Sequence, residues 1–389
     1  MSDMKYELAS SSWGKEEIEA IKSVIDGDMY TMGKAVDRFE SDFARFTDHK
    51  YCVMVNSGSS ANLLAIAAMF YKKDNPLKRG DEVIVPAVSW ATTYYPLYQY
   101  GLHLKFVDVD LDTLNFDLKQ LEAAVSDKTR LIFAVNLLGN PNDYDEIKRI
   151  IGNRNIYLLE DNCESLGAVY KGKPLGSIGL MGTYSTFFSH HMSTMEGGLI
   201  GTDDEELYNL LLCLRSHGWT RHLPKENKLC VKSDNSFEES WRFLLPGYNV
   251  RPIEMMGAIG VEQLKKLPEF IRHRRENAEY FKKLFEKDDR FILQKEIGQS
   301  SWFGFSFLIK DASIDRTEII RKLTEAHIDT RPIVAGNFAK KEVVKYFDHK
   351  IFGDLQNADF VEKRGFFVGN HQFDIRDKID YLKQTLDNV

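Results

Sequence analysis

Apolar residues in this chain recur at two periods, and the switching between them lays out most of the architecture. Ile18, Ile21, Val24 and Ile25 fall at helical spacing, and Val36, Phe39, Phe43 and Phe46 do the same for a second helix, whose aromatic stripe reads as core. Short apolar runs follow at 51–56, 83–86, 105–110, 131–136 and 155–159, each with the length of a buried strand. Helical stretches at 61–71 and 118–125 fall between them. Such alternation predicts a mainly parallel sheet with helices on both faces, in which ligands collect beyond the carboxyl ends of the strands. A further β run covers Thr183 to Phe188, a strand returns at 199–202, and a helix runs to Arg215. From Glu254 a long helical stretch is expected to break at Pro268 and resume to Lys287. A strand at 301–309 and a helix at 316–327 complete a smaller α+β unit. The expected division is a large domain over 1–250, with 1–30 packing on the small domain, and a small domain over 251–389.

A length of 389 residues fits two cores of unequal size. The formal charge of −7 is spread without acidic or basic blocks, which argues against nucleic acid or an anionic membrane as a partner. No stretch is apolar enough for a signal peptide or a membrane span, so the expected location is the cytoplasm. Cys52, Cys163, Cys213 and Cys230 are scattered and form no CxxC. Neither a disulfide framework nor an iron–sulfur cluster is expected from them, and burial as small hydrophobes is.

Several groups with usable chemistry stand at the predicted strand ends. Ser57-Gly58-Ser59-Ser60 opens a helix, so its free N–H groups and the positive helix end suit a phosphate, although the same turn serves as an ordinary N-cap. Trp90 follows a strand and offers an indole face for stacking on a planar ring, or for packing a helix onto the sheet. Asp161 ends a strand where a carboxylate can pair with a protonated ring nitrogen, while Glu160 is expected to point away in a structural role. Ser185 to Gly198 holds two adjacent histidines and closes on Glu196-Gly197-Gly198. Imidazole titrates near neutrality and can act as general acid or base. Adjacent side chains diverge, so one histidine is expected to face a ligand and the other to be structural. His217, Trp219 and Arg221 make a loop rich in cationic and hydrogen-bonding groups, and Arg331 stands in Thr330-Arg331-Pro332.

These motifs, from Trp13 to His371, resemble the sugar aminotransferase family (DegT/DnrJ/EryC type), fold-type I enzymes that use pyridoxal phosphate on nucleotide-linked sugars. The resemblance implies an aspartate-aminotransferase-like α/β fold with a large domain built on a mainly parallel mixed sheet. In the family the Schiff-base lysine precedes the Glu of Gly-Glu-Gly-Gly by six residues. Here that count back from Glu196 lands on His190, and no lysine occurs from 174 to 224. Histidine cannot hold the cofactor covalently but keeps the proton-transfer role. Within the family this exchange marks 3-dehydratases, which remove a sugar C3 hydroxyl with pyridoxamine phosphate. The resemblance therefore implies non-covalent pyridoxal/pyridoxamine phosphate, L-glutamate as amino donor, a GDP-linked 4-keto-6-deoxy sugar as substrate and no reductase. It implies a homodimer with shared active sites, in bacterial surface-polysaccharide (colitose) synthesis. Carried over residue by residue, it makes His190 catalytic and places Ser57, Gly58, Ser59, Ser185 and, from the other subunit, Asn249 on the cofactor phosphate. Trp90 would cover the ring, Asp161 bind its nitrogen and Glu164 stand near it, with orientation of His190 as one role. His217, Arg221, Arg251 and Arg331 would contact the substrate. Two other readings stay open: an aminotransferase with an unusual base, and a non-catalytic cofactor-binding protein.

Overall fold

The computed structural model describes residues 5–388. Eight strands form the main sheet. Five come first: β1 (Tyr51–Val55), β2 (Glu82–Pro86), β3 (His103–Val107), β4 (Thr129–Val135) and β5 (Tyr157–Asp161). A small hairpin of β6 (Val169–Tyr170) and β7 (Lys173–Pro174) intervenes, and β8 (Met181–Ser185) and β9 (Gly198–Thr202) follow. The order across the sheet is β1-β9-β8-β5-β4-β2-β3-β13, where β13 (His349–Ile351) arrives from late in the chain. Only β9 runs against its neighbours, so β1, β2, β4, β5 and β8 all end at one edge. Apart from the exposed edge strand β13, the strands are largely buried on both faces, which is why most of their sequences are rich in apolar residues.

Four strands, β10 (Phe291–Leu293), β11 (Gly304–Ile309), β12 (Thr330–Arg331) and β14 (Gly365–Gly369), build a second, antiparallel sheet in the order β10-β11-β14-β12. Its core is aromatic: Phe281 stacks on Phe305 at 4.3 Å and Phe307 on Phe366 at 5.1 Å. Tyr6 belongs to this core and donates its hydroxyl to Gly369 O at 2.7 Å. The helix Lys15–Asp26 lies on the helix Glu254–Phe285, where Glu17 accepts from Gln263 at 2.8 Å.

Three expectations from periodicity change. Helix Glu254–Phe285 is continuous through Pro268. A proline removes one intrahelical hydrogen bond, and burial of Leu264, Leu267 and Ile271 around it holds the helix together. The β run at 183–188 leaves the sheet after Ser185, because Thr186 turns its N–H to Gly197 O at 2.9 Å and closes a loop over 186–197. In the first helix, Ile18 and Ile25 face outward rather than into core. The first half of Glu254–Phe285 packs with Phe39 and Phe43, and the second half with Phe305 and Phe307. We propose, refining the division at 250/251, that the domain boundary passes through this helix between Ile271 and Ala278. Residues 333–361 also return to the large core, through Phe338, Phe347 and Val361.

Candidate active site

Strand ends bring the predicted residues together at the shared sheet edge. β1 leads into Ser57, the N-cap of helix Gly58–Tyr71, whose hydroxyl accepts from Ser60 N at 3.1 Å. The N–H groups of Gly58 and Ser59 have no acceptor among the described residues, as expected for the first turn of a helix. Gly58 sits tightly against the neighbouring strand end. A Cβ there would lie 2.6 Å from Ser185 Cβ and 3.0 Å from Cys163 Sγ. The serine turn, Ser185 and the residue two past Asp161 therefore form one cradle.

Asp161, at the end of β5, is buried and held from three directions. Asn62 Nδ2 and Thr93 Oγ1 donate to its Oδ2 at 2.9 and 2.8 Å, and Cys163 N donates to Oδ1 at 3.1 Å. Thr92 accepts from Ser59 Oγ at 3.1 Å, which ties the serine turn to the loop carrying Trp90. Trp90 is 60% exposed at the start of helix Ala91–Gln99. Glu160 points the other way, accepting from the backbone of Gly176, Ile178 and Gly179 at 2.6–2.8 Å. Asn62, Thr93 and Cys163 carry no motif signal of their own. Only the fold shows that they fix the carboxylate.

Glu164 accepts from Leu138 N at 3.0 Å, and among the described residues no hydrogen bond joins it to His190. Burial, with the charge of Asp161 adding, pushes its carboxyl up to about 7. The two histidines separate as their alternation predicts. His191 is buried and bonds Ser301 O through Nε2 at 3.1 Å, and burial holds its imidazole well below the usual range. His190 keeps Nδ1 without a partner among the described residues. Burial first, and the positive charge of Arg274 second, lower it to about 4, so at neutral pH it is an uncharged base. Phe303 meets its ring at 5.2 Å and Phe187 at 5.9 Å.

The remaining predicted residues form other groups. Asn249 is exposed, with its Oδ1 accepting from Arg251 Nε at 3.0 Å, and Arg251 lies over the Trp219 ring at 5.9 Å. His217 packs on the same indole at 4.8 Å, and Arg221 is exposed nearby. Arg331 is exposed on β12, opposite Phe367. No hydrogen bond or ion pair among the described residues links these five to Asp161 or His190. Cys163 lines the cradle and departs from the expected fate of a small core hydrophobe. Among the described residues, no three His, Cys, Asp or Glu side chains gather as a metal site.

A cradle of N–H groups and hydroxyls, a fixed buried carboxylate, an exposed indole and an imidazole follow the ends of neighbouring strands, a set whose chemistry suits an anionic, planar, nitrogen-containing group. Residues 11–381 match the DegT/DnrJ/EryC1/StrS aminotransferase family, and the chain belongs to it. GDP-4-keto-6-deoxy-D-mannose 3-dehydratase of Escherichia coli O55:H7 is 58% identical, covering 98% of this chain and 100% of that protein. A protein of the same name from Yersinia pseudotuberculosis is 57% identical, over 98% of each chain. Two solved structures of GDP-4-keto-6-deoxymannose-3-dehydratase, each 58% identical, superpose with a TM-score of 0.97 over 98% of this chain and 100% of theirs. One is a histidine-to-asparagine mutant with bound GDP-perosamine, and the other holds a trapped pyridoxal phosphate–glutamate geminal diamine.

Proposed function

We propose that this protein removes the C3 hydroxyl of GDP-4-keto-6-deoxy-D-mannose, using pyridoxal/pyridoxamine phosphate and L-glutamate, and releases a 4-keto-3,6-dideoxy sugar, ammonia and 2-oxoglutarate, the oxidised glutamate that balances the reduction at C3. The observation that carries the reading is His190, a neutral imidazole without a ring hydrogen bond among the described residues, in the loop after β8 where the family carries a lysine. When bound, pyridoxamine phosphate supplies an amine for the C4 ketone and a ring that accepts electrons.

The chain's own residues divide the remaining work. The N–H groups of Gly58 and Ser59, with the hydroxyls of Ser57, Ser59 and Ser185, would hold the phosphate at the positive helix end. Asp161, locked by Asn62 and Thr93, would keep the ring nitrogen protonated, and Trp90 would lie over the ring. Glu164 would border the cofactor with its proton retained near neutral pH. His190 would take a proton as general base and return it to the departing C3 oxygen as general acid. His217, Arg221, Arg251 and Arg331 would contact the nucleotide sugar, the arginines as fixed cations for its phosphates.

The site is completed across a homodimer in this reading, with Asn249 of the partner subunit on the phosphate. Support comes from the surface: Ile18, Ile25, Met29, Tyr30 and Ile253 are exposed, and Val231, Phe237, Trp241 and Phe243 are exposed beside the Trp219 loop. That much apolar surface is typical of an interface. No described helix is long and apolar enough to cross a membrane, and a cytoplasmic role in colitose synthesis belongs to the same proposal.

Mass spectrometry of the products from GDP-4-keto-6-deoxy-D-mannose and glutamate tests it. A nucleotide sugar lacking one oxygen, with ammonia released, is expected. A 4-amino sugar would replace the reading with aminotransferase chemistry, and unchanged substrate with bound cofactor would replace it with a non-catalytic role.

A further inference from the structure

A proton-transferring histidine is ordinarily aimed by a hydrogen bond from its second ring nitrogen to a third group. Among the described residues His190 has no such bond. Its ring touches two phenyl rings instead, with Phe303 the nearer at 5.2 Å and 68° between planes, and Phe187 at 5.9 Å and 83°. Both are edge arrangements of the kind aromatic quadrupoles favour.

Phe303 is unusually well fixed. It ends a short segment between the domains that is bonded on three sides. From the large domain, Gly139 O accepts from Ser300 Oγ at 2.8 Å and Ser301 N at 3.1 Å, and Leu138 O accepts from Phe303 N at 3.0 Å. Leu138 and Gly139 both adopt positive φ, 53° and 92°, to present these carbonyls. A Cβ at Gly139 would come within 2.7 Å of Trp302 N, so the approach requires glycine. From the helix shared by the two cores, buried Arg274 donates through Nη1 to Trp302 O, Phe303 O and Asn370 O at 3.4, 3.2 and 2.9 Å, and from the small domain Asn370 Nδ2 donates to Trp302 O at 2.9 Å. Arg274 has no carboxylate partner among the described residues, so these carbonyls are what compensate its charge. The third anchor is His191, bonded to Ser301 O at 3.1 Å.

We propose that Phe303 is a positioning residue for His190: its ring, anchored through the backbone to both domains, sets the plane of an imidazole that no hydrogen bond orients among the described residues. This rests on the reading of His190 as the proton-transfer group.

The test uses purified, cofactor-loaded enzyme with GDP-4-keto-6-deoxy-D-mannose and glutamate. Phe303→Leu should lower kcat about 10- to 100-fold, the scale of a small misplacement of a reacting group. KM for the sugar should stay within about twofold and cofactor content should be unchanged. Phe303→Tyr, which keeps the ring, should restore most of the rate. In a His190→Asn background, Phe303→Leu should cost nothing further, because a residue acting only through His190 is fully coupled to it. An equal fractional loss in both backgrounds, an equal loss in Phe303→Tyr, or a change confined to KM would overturn the proposal. Should Phe303→Leu lose cofactor, Phe303→Met, closer in volume, is judged by the same criteria. Normal dehydration by His190→Asn alone would remove the reading of His190, and the proposal with it.

Discussion

A lysine and a histidine at position 190 can both move protons, but only the lysine can also tether a carbonyl cofactor. Replacing His190 therefore separates two jobs. His190→Asn should bind cofactor as before, because the cradle and Asp161 are untouched, while dehydration falls by roughly 10²–10⁴-fold. His190→Lys should lose dehydration but acquire a borohydride-reducible link to the cofactor, detected as a pyridoxyl-lysine in a digest. Glu164 supplies a pH prediction of its own. Its carboxyl, raised to about 7 in the folded chain, holds a proton that the unfolded chain has released above about 4.5. The native state thus binds more protons between those values, and stability is lost as pH rises through that window. Glu164→Gln, which cannot ionise, should gain stability relative to wild type by about 2 kcal/mol between pH 5 and pH 8, measured by urea unfolding of cofactor-free protein. At this scale Asp161, Ser57 and His190 were legible from position in a motif. Phe303 was not, since it is one aromatic among several from Trp302 to Phe307, and its contact spans more than a hundred residues of chain.

Elements were legible where one strand or helix buries its own apolar residues. β1 to β5 follow their apolar runs to within a few residues, because strands with little exposure on either face leave no other pattern. The exceptions have specific causes. Loop 186–197 looks like strand because Phe187 and Phe188 are apolar, yet both are exposed, and backbone pairing across the loop ends the ladder first. Helix Lys34–Phe46 starts at Gly33, which has no side chain to cap it. Its cap comes from Glu254, whose carboxylate accepts from Gly33 N and Ala35 N at 2.6 Å and from Val36 N at 3.3 Å. A carboxylate at a helix start also meets the positive end of the helix dipole. Glu254→Ala leaves those donors without their acceptor and should cost about 2 kcal/mol, read as a lower urea midpoint at unchanged slope.

For the molecule as a whole, Ile18 and Ile25 leave an apolar stripe of the first helix exposed, which is surface that the proposed second subunit would cover. A second subunit is testable by mixing. If Asn249 serves the neighbouring site, chains carrying His190→Asn and chains carrying Asn249→Ala should restore one sound site per mixed dimer. Random reassociation of equal amounts should then recover roughly a quarter of wild-type activity. Mixed dimers, purified by two affinity tags, that stay as inactive as both parents would rule the shared site out.

The helix Glu254–Phe285 is a member of both cores. Its consequence reaches beyond folding, to how such a protein can be recombined. A chimera joined at 250/251 would hand the helix over entire and strip Leu264, Leu267 and Ile271 from the large core. One joined beyond 285 would deprive the small sheet of Phe281 and Phe285. An in-register splice inside the helix, between 271 and 278, divides the helix between the two cores but still parts residues 333–361 from the large core and Tyr6 from the small one. The halves of this protein are therefore not interchangeable cassettes.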